Sequence, residues 1–149
     1  MNRNTKVVKR VCNYCDISYQ MDKENGFIAY DVKAKGSDIP MMQAVMPEEG
    51  TITFVTSLVM DTSGIDRGRL VEFINDINAH LVVGAFIFDR KTGLLGFKSG
   101  IMTTDKNIET EIMAHMEIGI RAMSTHIADF ENLVVTEHVV EKNIDQMYR

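Results

Sequence analysis

Two cysteines, Cys12 and Cys15, stand two residues apart near the start of the chain. This CxxC spacing brings two sulfur atoms within reach of each other or of one metal ion, and both redox pairs and zinc knuckles use it. A structural zinc ion needs four ligands, and the sequence has no second CxxC and no closely spaced histidine pair. A thioredoxin-like pair opens a helix, whereas this pair closes a predicted helix on the same face as Val8 and Val11. We therefore predict that both cysteines pack in the core and bind no metal.

Histidines are the other side chains suited to acid–base chemistry or metal binding near neutral pH. The chain has four, His80, His115, His126 and His138, and none has a partner at ligand spacing. His115 lies one helical turn from Glu111 and His126 lies close to Asp129, so both are predicted to pair on a helix surface or pack at its edge. The sequence contains no nucleophile elbow, phosphate-binding glycine loop, HExxH or dinucleotide fingerprint. We therefore predict no catalytic residue, no metal site, no cofactor and no enzymatic activity.

Eleven methionines are many for a chain of 149 residues. Because methionine is flexible and polarizable, it suits either an irregular core or a groove that accepts varied partners. A single sheet with helices on one face also leaves its other face in need of cover. The residues that we predict as candidates for an interaction surface are Met42, Met46, Phe54, Met116 and Met123.

Hydrophobic periodicity predicts the elements that would position these side chains. Residues 5–15 repeat apolar positions as a helix does. Residues 27–34, 42–46 and 51–60 alternate apolar and polar side chains as strands do, and the links between them are short. Three sequential strands with short links predict an antiparallel meander.

The next unit, residues 69–96, switches from a helical to a strand period. A second helix is predicted over residues 66–79 and is followed by a hairpin, in which Gly93 suits the left-handed position that closes the loop. Asn75 and Asn78 lie one turn apart near the helix end, where side-chain amides can bind free helix carbonyls or the backbone of the following strand. We predict a scaffold role for both asparagines.

A third helix is predicted over residues 108–130, where apolar residues recur every three or four positions. Gly119 lies beside this apolar stripe, so it either admits a close neighbouring backbone or is a tolerated helical glycine. Residues 136–148 are predicted to form a last, weaker helix. The predicted order is therefore α-β-β-β-α-β-β-α in an α+β fold.

Length and charge limit the classes of partner. The length fits one domain over residues 1–149, with residues 131–149 as a C-terminal extension. The formal net charge is −5, and a negative chain repels a phosphate backbone at long range, so we expect no nucleic-acid partner. The one basic cluster, Lys6, Lys9 and Arg10, falls on the first helix and is predicted to be a solvated face.

The N-terminus lacks the apolar segment of a signal peptide, and the longest apolar run, residues 81–88, is too short to span a bilayer. We therefore expect no membrane partner and a cytoplasmic location. Two cysteines cannot form a disulfide framework, which agrees with a reducing compartment.

Several segments together resemble a known family. Residues 73–78 (FINDIN), residues 84–89 (GAFIFD), Thr92, Gly93 and Phe97 are similar to the YbjN-like family of bacterial sensory transduction regulators. The resemblance implies the type III secretion chaperone-like fold, in which an antiparallel sheet carries flanking helices. It also implies a homodimer that works through protein contacts and has no catalytic residues. Gly84 and Gly93 belong to this motif, and we predict that both serve the scaffold.

The function predicted from these observations is a non-enzymatic protein–protein interaction domain, chaperone-like or regulatory. It would bind a partner protein through an apolar sheet face or groove. The alternative is a small-molecule sensor, with a pocket lined by methionine and phenylalanine between the sheet and the third helix. In that case Asn75, Asn78 or His126 would supply the polar contacts.

Overall fold

In the part of the chain that the structure describes, six antiparallel strands form one sheet and three helices pack on one of its faces. The computed structural model describes residues 2–104 and 107–147, and for residues 134–147 it describes the helical backbone alone. The elements in chain order are α1 (Arg3–Tyr14), β1 (Gln20–Asp22), β2 (Phe27–Lys33), β3 (Pro40–Glu48), β4 (Thr51–Leu58), α2 (Arg67–Asn78), β5 (Ala85–Phe88), β6 (Leu95–Met102) and α3 (Ile108–Met147).

This architecture confirms the predicted α+β class and adds one strand to the predicted order. The extra strand, β1, has three residues and is too short to leave a periodic pattern in the sequence. The helix starts are set by side-chain caps. Asn2 accepts a hydrogen bond from the Thr5 backbone N–H at 2.8 Å, so α1 begins before the predicted residue 5. The Asp66 side chain caps α2.

The strand order in the sheet is β1-β2-β3-β4-β6-β5. Strands β2 to β4 form the predicted meander, and β1 extends it by one strand that was not predicted. Helix α2 then carries the chain across so that β6 pairs with β4 and β5 lies at the edge. Gly93 adopts φ = 74° and its N–H bonds the Asp89 carbonyl at 2.8 Å, which closes the β5–β6 hairpin. Both edge strands, β1 and β5, are short.

The hairpin is fixed to α2 by Asn78. Its side-chain oxygen accepts a hydrogen bond from the Phe86 N–H at 2.8 Å, and its side-chain nitrogen donates to the Phe86 carbonyl at 3.1 Å. The side chain therefore pairs with edge strand β5 as a neighbouring strand would. Asn75 is exposed, and its backbone carbonyl receives the N–H of Ala79 at the helix end.

Gly84, at the entrance to β5, has φ = 75° and sits against the neighbouring strand. A Cβ at this position would overlap the Phe97 ring and lie 2.8 Å from the Lys98 carbonyl oxygen. Only glycine fits here without displacing β6.

Strand residues alternate between a core face, which the helices cover, and a second face that we call the open face. The core face supplies two apolar clusters. One joins α1 and the start of α3 to β2, β3 and β4, and the other joins α2 and the middle of α3 to β5 and β6. The largest fully buried apolar side chains are Phe54, Phe97, Phe130, Ile28, Met41, Ile52, Leu70, Leu95, Ile112 and Met123.

A row of polar side chains crosses the core face between these clusters. Tyr30, Gln43 and Thr56 are direct neighbours on β2, β3 and β4, and all are buried. The Tyr30 hydroxyl donates to the Gln43 side-chain oxygen. The Gln43 side-chain nitrogen donates to Thr56 Oγ1 at 2.8 Å and to the Met116 carbonyl of α3 at 3.0 Å. We call these three side chains the polar seat of α3.

Gly119 lets α3 approach the polar seat. A Cβ at Gly119 would overlap Thr56 Oγ1 and lie 3.1 Å from Gln43 Nε2. The close neighbour is thus a pair of side chains rather than a backbone. Beyond the seat, the α3 backbone continues without a break through Met147. Residues 136–147 are therefore helical as predicted, but they belong to α3 and do not form a last helix of their own; residue 148 lies outside the described residues.

Replacing Gly119 with alanine should lower the free energy of unfolding by about 2 kcal/mol, because the added methyl group overpacks the polar seat. Urea denaturation monitored by circular dichroism measures this. Gly68→Ala in α2 is the matched control, since its Cβ would meet only Asp66 Oδ1 at 3.4 Å. That variant should be unchanged or gain up to about 1 kcal/mol of stability. Equal destabilisation of the two variants would contradict the close packing of Gly119 on the polar seat.

Replacing Asn78 with alanine should lower the free energy of unfolding by about 1–3 kcal/mol, because it leaves the Phe86 N–H and C=O without their partners. Asn75→Ala removes the same chemical group one turn away and should change the free energy by less than about 0.5 kcal/mol. Hydrogen exchange at the Phe86 amide, measured by NMR, should accelerate in the Asn78 variant only.

Candidate interaction surface

The five residues predicted as an interaction surface divide between the two faces of the sheet. Met42 is 39% exposed and Met46 is half-buried, and both lie on the open face. Phe54, Met116 and Met123 are 1%, 6% and 0% exposed and lie in the core between the sheet and α3. The structure therefore does not bring the five side chains together, and any surface they contribute to contains Met42 and Met46 alone.

The orientation of β3 explains this division. Its core-facing residues include Met41, Gln43 and Val45, which are all buried. A buried glutamine is a weak signal in a sequence, because its burial depends on partners in distant elements. Sequence analysis missed Gln43 for that reason. The alternation of Met41 and Val45 around Gln43 was the sequence pattern that could have predicted its burial.

The centre of the open face is a row of small side chains that runs across the strands. Ala29, Ala44 and Val55 are direct neighbours on β2, β3 and β4, and the row continues to Lys98 and Ala85. All of these side chains except that of Lys98 are half-buried. Small side chains beside larger ones leave a shallow trough in the sheet surface.

Methionines border this trough on both sides. Met42 lies in the next row, opposite Asp31 and Ser57, and Met46 lies opposite Thr53 in the row on the other side. Both flank Ala44 on β3. The flexible methionine side chains give the trough apolar walls that can adapt to different shapes.

The two cysteines lie in different environments. Cys12 is buried among the valines of α1, and burial raises the pKa of its thiol to about 11. Cys15 is the residue after the end of α1 and is exposed, so the prediction that both cysteines pack in the core is wrong for Cys15. Within the described ranges, no group of three or more His, Cys, Asp or Glu side chains is placed to hold a metal ion.

His115 contacts the sheet rather than the helix surface. Its Nδ1 lies 2.9 Å from Ser99 Oγ, and its ring stacks on Phe54 at a centroid distance of 5.3 Å. A serine beside an imidazole is a pair that nucleophilic catalysis uses. Here Ser99 is 5% exposed and faces α3, so a substrate cannot reach its hydroxyl. We interpret the pair as a polar contact that holds α3 to β6.

His126, by contrast, pairs with Asp129 on α3 at 3.2 Å, as the sequence predicts. The edge of its ring also packs against Phe73 and Phe86. These contacts fix the ring between α2, α3 and β5.

The space between the sheet and α3 is filled by side chains. Phe54, Phe97, Met123 and Phe130 are each no more than 1% exposed. Cavities among the described residues open at the surface instead. One of about 470 Å³ lies between the start of α1 and the turn after β3, and one of about 410 Å³ lies beside β1 and β2. No helix in the described residues has the length and apolar character needed to cross a membrane.

The stability of the protein should fall as the solution is acidified from about pH 7.5 to about pH 5.5. Burial lowers the pKa of His115, and the charge of Glu111 only partly opposes this. Because the folded state favours the neutral ring, its contribution is fully present above the unfolded pKa of about 6.5 and is lost below it, as the pH falls through the lower pKa of the folded state. Urea unfolding over this pH range measures the loss.

In His115→Gln, which keeps a hydrogen-bonding side chain beside Ser99, the fall with pH should be smaller. His80→Gln, at an exposed position, is the control and should keep the slope of the unmodified protein. If both variants keep that slope, His115 is not the group responsible.

Comparisons with known proteins agree on the fold. Among solved structures, a chain in the crystal structure of the ExsC–ExsE complex superposes with a TM-score of 0.53 at 14% sequence identity. The match covers 84% of this chain and 96% of that chain. Identity this low shows the fold alone, and it confirms the predicted type III secretion chaperone-like fold. No curated protein matches the sequence.

The sequence itself matches a family description over most of its length. The match extends over residues 4–132, from the first turn of α1 to the middle of α3, and includes the helix–hairpin segment from which we noted the resemblance. The family is described as "Putative bacterial sensory transduction regulator". The chain therefore belongs to the YbjN family.

Proposed function

We propose that this protein is a non-enzymatic interaction domain that binds a segment of a partner protein on the open face of its sheet. Two findings support a role in protein interaction. The family is described as regulatory, and the fold is shared with a chain that was solved in a complex. The structural observation that carries the proposal is the trough of Ala29, Ala44 and Val55 between Met42 and Met46.

The structure favours binding of a partner on the open face over addition of a partner strand at an edge of the sheet. Strand β5 already has the outward N–H and C=O groups of Phe86 bonded to Asn78. Strand β1 has three residues, which gives a partner strand few backbone groups to bind. The open face, in contrast, offers apolar side chains on several adjacent strands. A partner that buries these side chains gains about 25 cal/mol for each Å² removed from water.

The sensor alternative requires a pocket between the sheet and α3, and buried aromatic side chains occupy that space. We therefore do not carry it further. The proposal keeps the earlier expectations of a single domain with an extension over residues 131–149, a homodimer, a cytoplasmic location and no nucleic-acid partner. Each of these stays a prediction.

The double variant Met42→Lys/Met46→Lys should lose partner binding at least tenfold, because two charges on the walls of the trough would have to be buried in the complex. A photo-crosslinking residue at Ser57, beside Met42 on β4, should form a covalent adduct with the partner in the native host. Mass spectrometry of this adduct identifies the partner.

The matched control is Val82→Lys, which adds a charge at a 98% exposed apolar position between α2 and β5. It should leave partner capture unchanged. Urea denaturation must show that both variants are as stable as the unmodified protein. Undiminished capture by the stable Met42/Met46 variant would contradict the proposal, as would adducts that contain only this chain.

A further inference from the structure

The helical side of the protein carries a second surface, which is separate from the open face. Helix α1 contains four basic residues and no acidic residue, in a chain whose net charge is −5. Its inward side is apolar, with Val7, Val8 and Val11 buried against the sheet. The basic side chains are therefore gathered on the outward side of α1, where they form a local positive strip on a negative protein.

The cations of this strip that concern a ligand are Lys6, Lys9 and Arg10. No salt bridge involves Lys6, Lys9 or Arg10 among the residues that the structure describes. On α3, by contrast, Glu117 pairs with two cations, Lys35 at 2.7 Å and Arg121 at 3.4 Å. With respect to the described residues, the charges of Lys6, Lys9 and Arg10 are therefore available to an external anion.

An apolar cleft adjoins the strip at the end of α1. It lies between α1 and the first turns of α3, has a volume of about 250 Å³, and is lined by Arg10, Val11, Tyr14, Glu109 and Met113. Tyr14 is 82% exposed and forms one wall. Small-molecule sites are typically about 300–1,000 Å³, so a cleft of this size suits one side chain better than a whole ligand.

Strip and cleft lie in line. Lys6, Arg10 and Tyr14 are each four residues apart, so they form one row on α1 with about 6 Å between neighbours. An extended peptide repeats its side chains on one side about every 7 Å. A peptide that runs along α1 therefore meets two cations and then the cleft at matching intervals.

We propose that α1 and the start of α3 bind an acidic peptide segment of a partner protein. Two alternate acidic side chains lie against Lys6, Arg10 and the nearby Lys9. The next alternate side chain, aliphatic or aromatic, enters the cleft between Tyr14 and Met113. Glu109, on the α3 side of the cleft, repels carboxylates and so directs the acidic part of the peptide to α1. This surface does not depend on the open face.

The probe is a labelled ten-residue synthetic peptide in which glutamates at two alternate positions precede one phenylalanine at the next alternate position. Its binding to the full chain is measured by fluorescence polarisation at low and moderate salt. We expect saturable binding that weakens as salt rises. A peptide with lysine in place of both glutamates, and one with serine in place of phenylalanine, should each bind at least fivefold more weakly.

Variants assign the binding to this surface. Lys6→Glu/Arg10→Glu should weaken binding at least tenfold and Tyr14→Ser at least threefold, whereas Glu109→Gln should strengthen it. Lys23→Glu/Arg90→Glu is the matched control, because it makes the same change of net charge at exposed positions on distant loops. That control and the Met42→Lys/Met46→Lys variant should both bind the peptide normally, which separates this proposal from the proposed function.

Two results would overturn the inference. One is an equal loss of binding in the Lys23/Arg90 control, which would show an effect of net charge alone. The other is Tyr14→Ser binding the peptide normally while single-stranded DNA or anionic lipid vesicles compete with it fully. That result would show a surface for polyanions rather than a site for a peptide.

Discussion

The arrangement of α3 depends on the hydrogen bonds of Gln43, which accepts from the Tyr30 hydroxyl and donates to Thr56 and to the Met116 carbonyl. They lie at the point where the two apolar clusters meet, and they satisfy a glutamine that is fully buried. An unpaired buried amide would cost about 1–3 kcal/mol, so the glutamine and the helix carbonyl fix each other's position. Gly119 is the matching feature of the helix. The register of α3 on the sheet therefore follows from one polar row and one missing side chain.

The same row determines which face of the sheet remains open. Because Gln43 points to the core, its neighbours Met42 and Ala44 must point away from it. All three helices pack on the core face, so the second face stays uncovered, with half-buried Ala29, Ala44 and Val55 at its centre and polar side chains such as Asp31 and Lys98 beside them. The candidate interaction surface is thus a consequence of how β3 is anchored. No additional structural element is needed to form this surface.

Sequence analysis was most successful where the determining contacts are local. Asn78 bonds a residue eight positions away, and the helix–hairpin unit that contains it was predicted in the correct order. Gln43 bonds Thr56 and Met116, which lie 13 and 73 positions away in the sequence. Ser99 of β6 bonds His115 of α3. Because the partners lie on different elements, neither interaction leaves a periodic signal. Cys15 was misplaced because α1 ends one residue before it.

The position of α3 also has a consequence for the order in which the chain can fold. The meander β1 to β4 and the hairpin β5–β6 both pair strands that are close in sequence, but the junction between them pairs Ser57 with Gly96 and Thr51 with Met102. Pairing β4 with β6 closes the long chain segment between these two strands, which is entropically unfavourable. Contacts between residues so far apart in sequence dominate the contact order of the domain. Helix α3 lies over both strands of the junction and follows them in the chain. During synthesis, the two halves of the sheet therefore precede α3, and the packing of α3 on β4 and β6 stabilises the junction after its strands have formed.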